Sequence, residues 1–188
     1  MGESVVLPSK PFKHTQELTY HFTLSRVPVL EDPNKGIVSW ESAAVINYLL
    51  RNYNKSNAFS PGATKQEKVN PDKWIFFLIS TLGPMTGQTN WYQHYNEVKN
   101  EDALKRYVAQ TYRTYDVLEG QLKKSDGESA LETGYGAVDM HFYPWMFQHE
   151  YAELDIGTHP MMKRWLEKAG NRPEVKAAYE KIPKGEHA

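Results

Sequence analysis

Apolar and polar positions change their period once along this chain. Ser4-Val5-Val6-Leu7, Arg26-Val27-Pro28-Val29-Leu30-Glu31 and Gly36-Ile37-Val38-Ser39-Trp40 are short β-prone runs that predict three strands. Asp32-Pro33-Asn34-Lys35-Gly36 sets turn-forming residues between the second and third, which predicts a hairpin. From Glu41 the spacing becomes helical, with Ala43, Ala44, Ile46, Asn47, Leu49 and Leu50 on an amphipathic pattern. Asn54 to Asn70, containing Phe59-Ser60-Pro61-Gly62, reads as a linker. Helical periods then run almost to the end: Pro71 to Val98 with a kink at Gly83-Pro84, and Asp102 to Lys123 with Leu104, Tyr107, Val108, Thr111, Tyr112, Tyr115, Leu118 and Leu122 on one face. A buried segment follows from Val138 to Tyr151, then helices over Pro160–Ala169 and Pro173–Lys181. The expected fold class is mostly α, with a small α/β lobe over 1–55, a linker over 56–69 and a helical lobe over 70–188.

Composition narrows the chemistry. Among 188 residues, 22 Lys+Arg face 23 Asp+Glu, a formal net charge of -1 that provides no footprint for nucleic acid or an anionic membrane. Cysteine is absent, which excludes a disulfide framework, thiolate metal sites and a cysteine nucleophile. No apolar run approaches the roughly 20 residues of a membrane span, and the expectation is a soluble, cytoplasmic protein. Aromatic residues reach 13%, a density that suits a large core, an apolar pocket or a subunit interface.

Five local patterns are weighed for function. Glu41-Ser42 stands at a strand-to-helix junction, where backbone N–H groups and the helix dipole attract a carboxylate, or where Ser42 caps the helix. Asn90-Trp91-Tyr92-Gln93-His94-Tyr95 follows the Gly-rich bend. At helical spacing Trp91 shares a face with His94 and Tyr95, and Tyr92 leans toward Tyr95. Such a group could bind a planar substrate and move a proton through His94, Tyr92 and Tyr95; otherwise Trp91 and Tyr95 are core and His94 is on the surface. His141 lies in an apolar helix with Tyr143 and Trp145, either satisfied in the core or available to a ligand. Asp139 closes half a capping box with Gly136 and reads as structural. His149 and Glu153 share only a two-ligand edge, so no metal site is assigned.

Several motifs, in order along the chain, resemble the glutathione S-transferase superfamily. They are Ser25-Arg26-Val27-Pro28-Val29-Leu30 (a cis-proline turn), Trp40-Glu41-Ser42-Ala43-Ala44-Val45-Ile46 (a Glu-Ser motif) and Trp74-Ile75-Phe76-Phe77 through Gly83-Pro84-Met85-Thr86-Gly87-Gln88. Gly136-Ala137-Val138-Asp139 through Phe142-Tyr143-Pro144-Trp145 and Arg172-Pro173-Glu174-Val175 complete the set. The third is similar to fungal and bacterial members related to yeast nitrogen-regulator prions. The resemblance implies a thioredoxin-like lobe followed by an all-helical domain, with glutathione held by Val27, Pro28, Glu41 and Ser42. It also implies a substrate pocket lined by Met85, Asn90, Trp91, His141 and Trp145. A full-length member has a further strand and helix, roughly 20 residues, ahead of the part matching Ser4–Leu7. The residue that activates the glutathione thiol therefore has no counterpart here, and the lobe is expected to be truncated.

Three functions follow from these readings. The first is a GST-fold enzyme of small-molecule metabolism, secondary metabolism included, that binds an apolar or aromatic metabolite. It would catalyse isomerisation, cyclisation or elimination with no cofactor. The second is a glutathione transferase or lyase, and the third a non-catalytic binding or regulatory protein. A homodimer is expected, since an unpaired strand edge invites association.

Overall fold

Val29–Asp32 (β1) and Ile37–Trp40 (β2) pair antiparallel, with Val29 opposite Trp40 and Asp32 opposite Ile37. The turn between them is built by side-chain chemistry: the Asn34 N–H donates to Asp32 Oδ1 at 2.8 Å, and Gly36 takes a φ of +66° that L side chains rarely adopt. Val29, Leu30 and Asp32 are buried, whereas Ile37, Val38 and Trp40 are exposed. The computed structural model describes residues 28–55, 59 and 62–180. The expected strand at Ser4–Leu7 and the position of Val27 lie outside them.

Helix α1, Ser42–Tyr53, returns from β2 and buries Ala43 and Val45. It is tied to the hairpin through Asp32, which accepts from Tyr48 Oη at 2.5 Å, from Tyr53 Oη and from the Asn34 side chain at 3.1 Å.

Helix α2, Lys65–Phe77, begins inside the expected linker and carries Pro71 internally. The cause is a capping box: the Glu67 N–H donates to Thr64 Oγ1 at 3.2 Å, while Glu67 Oε2 accepts from the N–H groups of Thr64 and Ala63 at 2.8 and 2.9 Å. Those bonds hold the Glu67 carboxyl below its ordinary pKa. The helix therefore starts at Lys65, ahead of the expected Pro71, because the Thr64/Glu67 capping box prevails.

Two compact units divide between Asp72 and Lys73. In the second, the helical path continues through a π-turn at Leu78–Leu82, helix α3 at Gly83–Asn90 and a second π-turn at Trp91–Tyr95. The expected kink at Gly83-Pro84 thus takes the form of a widened turn, closed by the Gly83 N–H on Leu78 O, just ahead of a proline with no N–H to donate. Gly83 is required for packing as well: a Cβ there would lie 3.1 Å from Leu78 O and 3.3 Å from the Trp145 ring.

Helix α4, Glu101–Leu122, starts where the Asn100 side chain accepts from the Ala103 N–H at 3.0 Å. Helices α5 (Ala137–Phe147), α6 (Pro160–Gly170) and α7 (Pro173–Glu180) complete the unit. Its core contains Ile75, Leu78, Leu82, Tyr115, Leu118, Leu122, Phe142, Met146, Met162 and Trp165, all fully buried. Polar staples join the helices. Glu119 of α4 accepts from the Met161 and Met162 N–H groups at 3.2 and 2.9 Å, filling the open N-terminus of α6 with negative charge. Asp139 accepts from the Gly136 N–H, the Ala130 N–H and Trp165 Nε1 at 2.8, 2.7 and 2.7 Å, which makes it structural.

Candidate functional site

In the first unit, two of the residues expected to hold glutathione, Glu41 and Ser42, stand at the start of α1. Glu41 is the non-helical residue there, and its backbone takes φ 67°, ψ 124°, a conformation that costs a non-glycine residue of order 1–3 kcal/mol. Ser42 is the first helical residue, so the position that caps the helix belongs to Glu41. The first-turn N–H groups of a helix have no intrahelical acceptor. A strained acidic residue followed by serine therefore stands at the helix start. Pro28 is exposed and lies immediately before β1.

In the second unit, the π-turn at Trp91–Tyr95 sets the aromatic group. His94 Nε2 donates to the Tyr151 carbonyl at 2.6 Å, and the two rings stack with centroids 4.3 Å apart. A carbonyl only accepts, so Nε2 carries the hydrogen and neutral His94 holds its lone pair on Nδ1. Tyr95 and Tyr151 share a hydroxyl hydrogen bond of 2.6 Å; that bond, with some burial, raises the Tyr151 pKa. Trp91 stacks on Tyr95 at 6.2 Å, and both rings are about half exposed.

Tyr92 is elsewhere. It stacks on Tyr107 of α4 at 5.5 Å with rings 14° from parallel, and does not lean toward Tyr95. A π-turn rotates less per residue than an α-turn, so residues three apart diverge while Trp91 and Tyr95 still meet. The Asn96 N–H on Trp91 O closes this wider turn.

The other expected pocket residues divide. Asn90 is buried, and its Oδ1 has no hydrogen-bond partner among the described residues, a position that invites a polar group from a ligand or a water. Met85 is half-buried on α3 and Trp145 lies against Gly83. His141 is buried on α5, and burial lowers its pKa, which favours the neutral ring. Among the described residues no group of three His, Asp or Glu side chains is placed to hold a metal ion.

Tyr151 was not singled out beforehand. It ends the segment expected to be buried, and only the fold carries it to His94, 57 positions earlier in the chain.

No protein-family model matches the chain. Among curated proteins, the glutathione S-transferase-like protein tpcF of Aspergillus fumigatus is 30% identical over 162 residues, covering 80% of this chain and 72% of that protein. Among solved structures, a glutathione transferase homologue from Lodderomyces elongisporus with two glutathione molecules per subunit superposes with a TM-score of 0.82. It is 26% identical and covers 89% of this chain and 80% of that one. The glutathione transferase URE2P6 of Phanerochaete chrysosporium, in complex with oxidised glutathione, gives 0.79 at 28% identity, covering 87% and 76%.

Proposed function

The chain belongs to the glutathione S-transferase superfamily, in its Ure2-like group, and on that premise we propose a GST-fold enzyme of small-molecule metabolism that holds glutathione at Glu41-Ser42 and a planar metabolite on the Trp91–Tyr95 face. The backbone strain at Glu41 carries the proposal, because strain of that kind is kept where a site needs it. The helix start orients the γ-glutamyl carboxylate, Ser42 donates to it, and the Glu41 carboxylate pairs with the ammonium. Val27 and Pro28 take the cysteinyl backbone. When bound, glutathione supplies a thiol. Trp91 and Tyr95 offer ring faces to an aromatic substrate, Asn90 its unpartnered carbonyl oxygen, and His94 a proton acceptor at Nδ1. The protein acts as a homodimer in the cytoplasm, where reduced glutathione is maintained.

A second reading rests on His94 alone. Its fixed tautomer, stacked against Tyr151, suits proton transfer on a bound metabolite without thiol, giving isomerisation, cyclisation or elimination.

Calorimetric titration with glutathione tests the first reading. Saturable binding is expected, weakened about tenfold by Ser42→Ala, the loss of a hydrogen bond to a charged group. Thiol-dependent turnover of an activated aryl halide is expected to accompany it. A folded protein that takes up no glutathione overturns this reading and leaves the thiol-independent one, in which His94→Gln abolishes turnover.

A further inference from the structure

A cavity lies wholly within the helical unit. It measures about 300 Å³ and is lined by Tyr143, Phe147, His149, Glu150, Leu166, Glu167 and Gly170. That is about ten times the share of one water in the liquid, roughly 30 Å³, so it has room for a small organic molecule.

Its chemistry is one-sided. Glu150 and Glu167 bring two carboxylates, and neither forms a hydrogen bond or ion pair through its side chain among the described residues. His149 Nδ1 donates to the Leu154 carbonyl at 3.1 Å, which leaves Nε2 of the neutral ring as a further acceptor. Tyr143 and Phe147 stack at 5.7 Å, and Tyr179 packs edge-on against both, at 5.6 and 5.2 Å. Phe147 remains about half exposed.

Gly170 makes the arrangement possible, since a Cβ there would come within 2.6 Å of the Tyr143 hydroxyl. Among the described residues, the cations of α6 and the start of α7 with printed partners are engaged elsewhere. Arg164 pairs with Asp126 and Glu128, Lys168 with Glu128, and Arg172 with Glu174 while its guanidinium covers the Tyr135 ring. Lys163, one turn ahead of Glu167, is not part of the lining. Acceptors and ring faces together disfavour an anion, and the absence of a three-ligand cluster among the described residues disfavours a metal ion.

We propose that the cavity between the end of α5 and the end of α6 is a binding site for a small organic cation, with a substituted ammonium head against Phe147 and Tyr143 and its charge facing Glu150 and Glu167. Ring faces attract such a head, and two carboxylates with no cationic partner among the described residues supply the charge it needs.

Choline is the probe, titrated into the full chain at constant ionic strength and followed through the ring protons of Phe147 and Tyr143. Its neutral isostere 3,3-dimethylbutan-1-ol serves as the control. Saturable shifts are expected for choline, with affinity about tenfold or more above the isostere. The Glu150→Gln/Glu167→Gln pair should lose that advantage, and since both residues are exposed it should fold. Phe147→Leu, which keeps an apolar side chain but removes the ring, should weaken choline more than the isostere. Equal binding of choline and isostere, or no saturation into the tens of millimolar, overturns the proposal.

Discussion

Asp32 and Asp139 are both fully buried carboxylates, one in each compact unit, and their protonation is driven in opposite directions. Burial is the largest influence on each and raises both. At Asp32 the bonds from Tyr48, Tyr53 and Asn34 together outweigh it, and the carboxyl ends well below its ordinary 3.8. At Asp139 the bonds from Ala130, Trp165 and Gly136 do not, and the carboxyl ends above that value. Each group also fixes a junction. Asp32 locks the hairpin turn to α1, and Asp139 locks the loop at Ala130 and the start of α5 to α6. A buried carboxylate can serve to specify register even where it adds little stability.

The sharpest way to break the comparison is Asp139→Ala. It strands three buried donors at once, and the helical unit should lose about 3–5 kcal/mol in chemical denaturation. Trp165→Phe removes one of those donors and part of a fully buried ring, so a smaller loss of about 1–3 kcal/mol is expected from the same measurement.

The pH dependence should separate the two carboxylates by sign. Asp32 has a depressed pKa in the fold, so its contribution is present above the ordinary value of 3.8 and is lost as pH falls below it. Asp139 has a raised pKa, so its contribution is present below 3.8 and is lost as pH rises through the raised value. Asp32→Asn should therefore flatten the acid-side loss and Asp139→Asn the opposite one. Urea midpoints measured across the acid range, with the Trp40 and Trp165 indole resonances as reporters for the two units, would check this. A common slope for both variants would show that the carboxylates titrate alike.

The smallest effect is expected away from either carboxylate. Thr64→Ala removes the cap of α2 and should cost about 1 kcal/mol. Amide exchange should quicken over Lys65–Val69 ahead of the rest of the helix. A loss as large as that of Asp139→Ala would mean that α2 holds far more of the fold together than its cap suggests.

The hairpin, α1, α4 and the last helices were legible because their signals are local. Asp32 to Gly36 carries its own turn chemistry, and the spacing of apolar residues in 102–123 follows one helical face. The start of α2 was legible too, in Thr64-Lys65-Gln66-Glu67, but the proline and glycine around it drew attention to a linker instead. The site was partly readable. Glu41-Ser42 could be placed at a strand-to-helix junction, yet its left-handed backbone could not. Trp91 and His94 each meet Tyr95, as the spacing suggests, while Tyr92 turns to Tyr107 because nothing in that stretch announces a π-turn.

By itself, then, the sequence determined the hairpin, α1, α4 and the last helices, and the family they belong to, because period, turn preference and side-chain character act over a few positions. Only the tertiary structure decided which atoms face each other. The Tyr151 carbonyl that fixes the tautomer of His94, the Trp165 indole that donates to Asp139 and the approach of Tyr143 to Gly170 join residues tens of positions apart. Contacts over that separation depend on how whole helices pack, and helical period or turn preference within any one segment does not encode them.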